Sequence, residues 1–403
     1  MIANQRGTRR TAQRTAVVIG AGIGGLSAAR ALQQAGWSVQ VLEQAPQVEP
    51  LGAGISLWPN ALLALDVLNV PRPAHTPSTG VSGIRTSSGR LLSRTDPDSF
   101  PARFGAPLIT VHRADLHESL RTSLLPRTVI TGARVTRVEG HASRVTVQHT
   151  HGPSSADLAV LADGLASSTR HLVAGSRPRV SYAGYTAWRG VTDFGAGLSP
   201  LHATGESWGR GQRFGLLPLT DGRVYWYATA NTAEGQRASD SEHTEVLRRF
   251  AGWHAPIGRV VQATDPTAVL RHDVYDVRPA PSSYVKGRLL LLGDAAHAMT
   301  PNLGQGACQT LEDAATLGAL VRPGAELDSA LRRYDASRRP RAELIARHSR
   351  QLGRIGQLQG IGSTTVRNLL MRATPHQLSD RQLAETLRWQ PPAPSPQPPA
   401  TDG

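Results

Sequence analysis

Cysteine, lysine and long apolar runs are nearly missing from this chain of 403 residues. The single cysteine, Cys308, cannot form an intrachain disulfide, which excludes a small secreted fold held together by disulfides. Cysteine and histidine residues never cluster at the spacing of metal ligands, so we expect no metal site. No apolar run approaches the ~20 residues of a membrane-spanning helix. We therefore expect a cytoplasmic protein that does not bind a membrane.

The basic residues are almost all arginine. Lys286 is the only lysine among 44 basic residues, and the formal net charge is +14. A charge of this size can indicate nucleic-acid binding, which would predict an affinity that falls steeply with salt. Alanine, glycine and proline are also abundant, and this combination is typical of a GC-rich genome. We therefore expect no nucleic-acid partner.

Both ends have the composition of disordered segments. Residues 1–14 are basic without an apolar pattern, and residues 391–403 are rich in proline. Neither segment carries enough apolar surface to offset the entropy of ordering it. We predict a disordered basic arm and a disordered proline-rich tail.

A glycine-rich turn follows the first apolar segment. Residues 15–19 are largely β-branched, which predicts a buried strand, and Gly20, Gly22 and Gly25 follow it before a segment of helical periodicity. These glycines allow a tight turn, close approach of a pyrophosphate and close packing of helix on sheet. Glu43, at the end of the next predicted strand, is placed to accept hydrogen bonds from a ribose. The pattern predicts a dinucleotide site but does not distinguish NAD from FAD.

A second motif follows another apolar segment near the middle of the C-terminal half. Residues 288–292 predict a buried strand, and Asp294 would lie at its carboxyl end, where ligands bind in open α/β sheets. Gly304 and Gly306 precede a predicted helix over about 307–320. Free N–H groups at the start of this helix can stabilise negative charge on a reduced flavin ring.

A third motif lies between these two in the chain. Residues 158–161 predict a buried strand, and Ala-Asp-Gly at 162–164 and then Arg170 follow it. Three motifs in this order resemble the single-component, aromatic-hydroxylase type of FAD-dependent monooxygenase. Within that family the chain is most similar to the branch of urate hydroxylase, zeaxanthin-epoxidase-like and salicylate-hydroxylase-like enzymes. The resemblance covers residues 15–390 and departs from the family pattern at Leu161, where glycine is usual.

The resemblance implies a set of contacts with FAD. Glu43 would hold the adenosine ribose, Arg113 would lie near the pyrophosphate and Asp294 would bind the ribityl chain. The motif of Asp163 and Arg170 would contact FAD and assist docking of the nicotinamide nucleotide. The residues implied to bind the cofactor are Gly20, Gly22, Gly25, Glu43, Arg113, Asp163, Asp294, Pro301, Gly304, Gly306 and Ala307.

The candidate catalytic residues are Arg213, Tyr225 and Pro301, and the first two come from a strand-rich region over 181–277. Arg213 and Tyr225 match an arginine and a tyrosine that bind substrate in the urate-hydroxylase branch, and Pro301 would line the flavin ring. If its strand face looks towards that ring, Arg213 can pair with an anionic or carbonyl-bearing substrate. A purely structural cross-strand role for Arg213 and Tyr225 stays open at this point.

The implied fold is a three-layer α/β, Rossmann-like FAD-binding domain with an inserted β-sheet substrate domain and C-terminal helices. We place the FAD-binding domain at 15–80, 106–178 and 286–365, the substrate domain at 81–105 and 179–285, and a C-terminal helical segment at 366–390.

The implied activity is oxygenation of a small molecule. NADH or NADPH would reduce FAD transiently, dioxygen would form a flavin hydroperoxide, and one oxygen atom would pass to an electron-rich aromatic ring or alkene. Urate-hydroxylase-like purine oxidation and a flavin oxidoreductase of the same fold that inserts no oxygen remain as alternatives. The expected partners are the substrate and dioxygen, and the enzyme would be a monomer or a homodimer.

Structural roles are expected for three further features. His297 would pack beside the cofactor, and Cys308 would be a small buried residue. A predicted helix over about 331–351 carries several arginines, Arg338 among them, which we expect to form a solvated outer face.

Overall fold

A computed structural model describes residues 13–47, 53–73, 82–174, 178–193, 205–374 and 376–391. Except for residues 13, 14 and 391, the predicted basic arm at 1–14 and the predicted proline-rich tail at 391–403 lie outside the described residues. The described strands are β1 (Thr15–Ile19), β2 (Ser38–Leu42), β3 (Gly54–Leu57), β4 (Ser82–Thr86), β5 (Leu91–Thr95), β6 (Ile109–His112), β7 (Val129–Ile130), β8 (Val135–Gly140), β9 (Val145–His149), β10 (Gly152–Ala156), β11 (Leu158–Leu161), β12 (Arg179–Thr192), β13 (Gly205–Trp208), β14 (Gln212–Pro218), β15 (Val224–Asn231), β16 (Leu270–Arg278), β17 (Val285–Lys286) and β18 (Leu289–Leu291). The described helices are α1 (Ile23–Gln34), α2 (Pro59–Val67), α3 (Phe100–Phe104), α4 (Arg113–Thr122), α5 (Glu242–Arg249), α6 (Ile257–Gln262), α7 (Asp294–His297), α8 (Gly306–Leu320), α9 (Leu327–Gly356), α10 (Ile361–Ala373) and α11 (His376–Leu387).

The three motifs meet at one edge of a six-stranded sheet. Its strand order is β17-β18-β11-β1-β2-β7, and every pair in it is parallel except β17 with β18. Val18, Val160 and Leu290 are completely buried in these strands, as expected for a parallel sheet that is covered on both faces. Because β1, β11 and β18 run in parallel as neighbours, the turns that follow them lie side by side.

Helices and a small sheet complete the core around this sheet. Residues of α1, α2, α4, α8 and α9 belong to the same apolar cluster as the parallel strands. Val145 and Val147, from a three-stranded sheet of order β10-β9-β8, belong to it as well. This arrangement is the predicted Rossmann-like α/β unit, and the fold class is confirmed.

A second, seven-stranded sheet has the order β16-β12-β15-β14-β13-β4-β5. Its Trp188, Phe214 and Trp226 point to one face, where they form an apolar cluster with residues of α5 and α6. Strand alternation therefore turns the intervening side chains to the opposite face. This second face carries Tyr185, Arg189, Glu206, Arg213, Tyr225 and Tyr227. The division into two domains at the predicted boundaries stays a prediction, which the membership of the strands in the two sheets supports.

The expectation for the arginine-rich helix is wrong at Arg338. Helix α9 is longer than predicted, and Arg338 is 1% exposed within it. Its guanidinium pairs with Glu312 at 2.5 Å and with Asp313 at 2.7 Å, both on α8. Because these carboxylates come from a different helix, the pattern of α9 alone could not reveal that this arginine is buried.

Candidate active site

The first glycine turn leaves an open cradle in front of α1. Gly20 has φ +99°, and a Cβ atom built on it would lie 2.6 Å from the backbone oxygen of Ala162. A Cβ atom on Gly25 would lie 1.8 Å from the backbone oxygen of Gly20. A Cβ atom on Gly22 would meet no atom of the described chain within 4 Å. Gly20 and Gly25 are therefore required by the protein itself, whereas Gly22 borders open space.

The start of α1 and the end of β2 face this cradle. Gly22 is the N-cap of α1, and no described side chain caps the helix there. The first N–H groups of α1 are thus available to an anion such as a pyrophosphate. The carboxylate of Glu43 accepts hydrogen bonds from the backbone N–H groups of Ala21 at 2.8 Å and Ala45 at 2.9 Å. Its remaining lone pairs can accept from ribose hydroxyls.

Asp294 presents a carboxylate beyond the end of β18. It begins α7 directly after Gly293, which has φ +64°. The residue is exposed, and among the described residues its carboxylate has no hydrogen-bond partner. The side chain is therefore available to a ligand that lies along the edge of the sheet.

The side chains of Asp163 and Arg170 in the third motif form hydrogen bonds within the protein. Asp163 accepts hydrogen bonds from the backbone N–H and the hydroxyl of Thr169, each at 3.1 Å. Arg170 is buried and donates to four backbone oxygens, those of Gly164, Leu165, Asp294 and Ala295, at 2.7–3.1 Å. Arg170 thus fastens this turn to the strand end that carries Asp294. Arg113, the first residue of α4, is exposed.

The loop over 301–306 leads into α8, which packs against α1. Pro301 is exposed at the start of the loop, and Gly304 has φ +62°. A Cβ atom on Gly304 would lie 2.9 Å from Nε1 of Trp58. Helix α8 begins at Gly306, followed by Ala307, and no described side chain caps it. Its free N–H groups therefore also point to a space where negative charge is favoured.

A buried polar network, missed by sequence analysis, holds this loop. The amide of Asn60 donates to Gln305 at 2.9 Å and to Glu312 at 2.7 Å. Asp313 accepts from the backbone N–H of Gly293 at 3.0 Å and from His297 Nε2 at 2.6 Å. Burial raises the pKa of the Asp313 carboxyl, but the charges of His297 and Arg338 outweigh burial and leave it below its usual range. The signal in the sequence was an adjacent acidic pair within an otherwise apolar helix.

Arg213 points towards the 301–306 loop. Its Nη2 donates to the side-chain oxygen of Asn302, and the hydroxyl of Tyr185 donates to the same oxygen at 3.1 Å. The Arg213 side chain is only 2% exposed. The second sheet and the 301–306 loop are therefore joined at this point, and Arg213 does not face bulk solvent.

Tyr225 shares the sheet face with Arg213 but is not its immediate neighbour. The register pairs Arg213 with Thr229 and Leu217 with Tyr225, so Tyr227 lies between them. The ring of Tyr225 covers Gly54, where a Cβ atom would lie 2.2 Å from the ring. Sequence analysis named Arg213 and Tyr225 but missed Tyr185, Glu206, Tyr227 and Asn302, which surround Arg213.

These features fit FAD. Two uncapped helix starts, an open glycine turn, an acidic side chain at one strand end and a free carboxylate at another match a dinucleotide with its ribityl chain. In the described part of the chain, no three His, Cys, Asp or Glu side chains are grouped as metal ligands. Within the same residues, no helix is both long and apolar enough to cross a bilayer.

Comparison with known proteins agrees with this assignment. A family model described as FAD binding domain matches residues 13–349. Aurachin C monooxygenase/isomerase of Stigmatella aurantiaca is 39% identical over 380 residues, which cover 94% of this chain and 98% of the relative. FAD-dependent urate hydroxylase of Klebsiella pneumoniae is 37% identical over 332 residues, which cover 80% and 85%. The crystal structure of Klebsiella pneumoniae HpxO complexed with FAD and uric acid aligns with a TM-score of 0.85 and 32% identity over 93% of this chain and 96% of that one.

Proposed function

Since the chain belongs to the FAD binding domain family and is an FAD-dependent enzyme of the monooxygenase and hydroxylase type, we propose that it oxygenates a small, electron-rich aromatic molecule. NADH or NADPH would donate electrons, and dioxygen would be the co-substrate. The product would be a hydroxylated ring, or an epoxide where the substrate offers an alkene.

The observation that carries this proposal is the contact between the second sheet and the 301–306 loop. Asn302 accepts hydrogen bonds from Arg213 and Tyr185, so the polar sheet face lies against the loop that the family places beside the flavin ring. A planar substrate between the two would meet aromatic and hydrogen-bonding side chains on one side and the cofactor on the other. Closing the space between sheet and loop also excludes water from the reacting atoms.

The chain offers a definite set of residues to hold FAD. The turn at Gly20, Gly22 and Gly25 with the start of α1 would bind the pyrophosphate, Glu43 the ribose and Asp294 the ribityl chain. Arg113 would approach the pyrophosphate from α4, and Asp163 would act by shaping its turn. Pro301, Gly304, Gly306 and Ala307 would lie along the ring. Bound FAD supplies the redox chemistry, accepting a hydride and activating dioxygen for transfer to the substrate.

Urate is the second candidate substrate. The likeness to urate hydroxylase and to a structure that contains uric acid favours it. The likeness to aurachin C monooxygenase/isomerase extends over more of the chain and is somewhat higher in identity. This relative therefore favours an aurachin-like substrate over urate.

Purification, spectroscopy and oxygen labelling test the proposal. The protein is expected to be yellow and to release FAD, and a substrate should stimulate oxidation of NADH or NADPH. With ¹⁸O₂, one labelled atom should appear in the product. Stimulated nicotinamide oxidation without label in any product would identify an oxidoreductase that inserts no oxygen. A colourless protein that takes up no added FAD would contradict the whole assignment.

A further inference from the structure

The charge of Arg213 is already matched by a carboxylate within the chain. Nη1 of Arg213 lies 3.3 Å from Oε1 of Glu206, on the neighbouring strand β13. The Arg213 side chain is 2% exposed and that of Glu206 is 14% exposed, so water screens this pair poorly. An isolated buried charge costs several kcal/mol, and pairing offsets part of that cost for both partners.

Glu206 has a further donor besides Arg213. The indole Nε1 of Trp208 donates to its Oε2 at 2.7 Å. The ring of Tyr227 crosses Gly215, the residue that pairs with Glu206 on the neighbouring strand, and a Cβ atom on Gly215 would lie 2.2 Å from that ring. The carboxylate is therefore held beside Arg213 by Trp208, with Tyr227 packed next to it.

Arg213 also bonds the loop, through Nη2, while its buried Nε has no hydrogen-bond partner among the described residues. Nη2 donates to Asn302, whose own amide nitrogen donates to Thr300 at 2.8 Å and to the backbone oxygen of Ser349 at 2.9 Å. Burial lowers the pKa of Arg213, but the Glu206 carboxylate together with Tyr185 and Tyr227 outweighs burial and raises the pKa overall, so the guanidinium stays charged beside Glu206.

From this geometry, and resting on the proposed function, we propose that Glu206 makes the substrate pocket selective for uncharged aromatic rings. An anionic substrate beside Arg213 would have to displace Glu206 or lie next to its negative charge. A neutral ring that carries carbonyl or N–H groups meets no such repulsion and can bond the tyrosine hydroxyls. Benzoates, and urate in its anionic form at neutral pH, are thereby disfavoured.

Two probe molecules of nearly equal shape separate the effect of ligand charge on binding from the effect of ligand shape. The FAD-loaded full-length enzyme is titrated with 3-hydroxybenzamide and with 3-hydroxybenzoate, and the change in flavin absorbance gives the two dissociation constants. The wild-type enzyme should bind the amide at least about tenfold more tightly, because like-charge juxtaposition in a dry site costs several kcal/mol. Equal or tighter binding of the benzoate would overturn the inference without any variant.

The variant Glu206→Gln keeps the shape and removes the charge. It should shift the ratio of the two constants towards the benzoate by about tenfold or more, with little change for the amide. Glu234→Gln, which changes an exposed carboxylate in the turn after β15 that accepts a hydrogen bond from Tyr275, is the control and should leave the ratio unchanged. An unchanged ratio in a folded, FAD-loaded Glu206→Gln enzyme would refute the role of Glu206. If neither probe perturbs the flavin of the wild-type enzyme, the inference fails, whereas the proposed function stands or falls separately on FAD binding and the ¹⁸O₂ experiment.

Discussion

Arg170 donates a hydrogen bond from its Nη2 to the backbone oxygen of Asp294, 3.1 Å away. This contact joins two motifs that are 124 residues apart in the chain. The guanidinium bonds the backbone of Asp294 and not its carboxylate. The contact therefore positions the residue and leaves the carboxylate available to a ligand. We propose Asp294 as the residue that binds the ligand and Arg170 as a positioning residue.

Replacing Asp294 by alanine should weaken FAD binding by about 10- to 100-fold, the usual loss for a hydrogen bond to a charged group. Because the carboxylate has no described partner, the melting temperature of the FAD-free protein should hardly change. Reconstitution of the apoprotein followed by flavin fluorescence measures the affinity. Asp240→Ala, at an exposed aspartate that pairs with Arg248, is the control. Unchanged FAD affinity in the Asp294 variant would remove this residue from the site.

Alanine at Gly22 and at Gly25 should have opposite consequences. At Gly25 the added Cβ overlaps the backbone oxygen of Gly20, so the apoprotein itself should lose about 1–3 kcal/mol or fail to fold. At Gly22 the Cβ meets open space, so stability of the apoprotein should stay within about 0.5 kcal/mol while FAD binding weakens. Thermal melts with and without FAD compare the two. A Gly22→Ala enzyme with normal FAD affinity would contradict a pyrophosphate at this turn.

Arg213→Gln should raise the substrate KM by about 5- to 150-fold, equivalent to roughly 1–3 kcal/mol, because Glu206 and Asn302 lose the partner that holds them at the proposed pocket face. The variant should also melt earlier, because Glu206 loses its counter-charge, yet it should retain FAD. Steady-state kinetics below the melting range give KM and kcat, with the exposed Arg248→Gln as the reference. A normal KM would leave Arg213 with only the cross-strand role.

Cys308 should be unreactive in the native enzyme. It is completely buried, and burial raises the pKa of its thiol to about 12. The neutral thiol therefore stabilises the fold at any pH below the unfolded value of about 8.5, and this contribution disappears as the pH rises towards 12. At pH 8, a thiol reagent such as DTNB should react slowly with native protein and rapidly after unfolding in urea. Fast stoichiometric reaction of the native protein would show that the helix start is open.

Much of the proposed cofactor site could be inferred from the sequence because its signals are local. The strand before Gly20, the turn and α1 are contiguous, so spacing alone places an anion site at the helix start. Glu43 and Asp294 follow strands directly, and their positions at the sheet edge depend only on those strands being parallel neighbours. Confirmation of FAD as the cofactor and of the α/β class agrees with these local signals.

The substrate side was less predictable because its contacts join distant segments. Strand alternation could place Arg213 and Tyr225 on one face, but the register between β14 and β15 decided that Tyr227 lies between them. The pairing of Arg213 with Glu206 and Asn302 depends on how the second sheet meets the 301–306 loop. No spacing in the sequence encodes that relation.

The sequence by itself determined the order of motifs, the glycine turn and strand ends at which we propose that FAD binds, and the family to which these motifs belong, because each depends on neighbours within one strand–turn–helix unit. Only the tertiary structure decided which charges are free. Arg338, expected on a solvated face, is buried between Glu312 and Asp313, and Arg213 is neutralised by Glu206, whereas Asp294 keeps an open carboxylate. The physical reason is that the cost of a buried charge depends on partners brought together by packing, and sequence patterns record periodicity along one element but not the meeting of two.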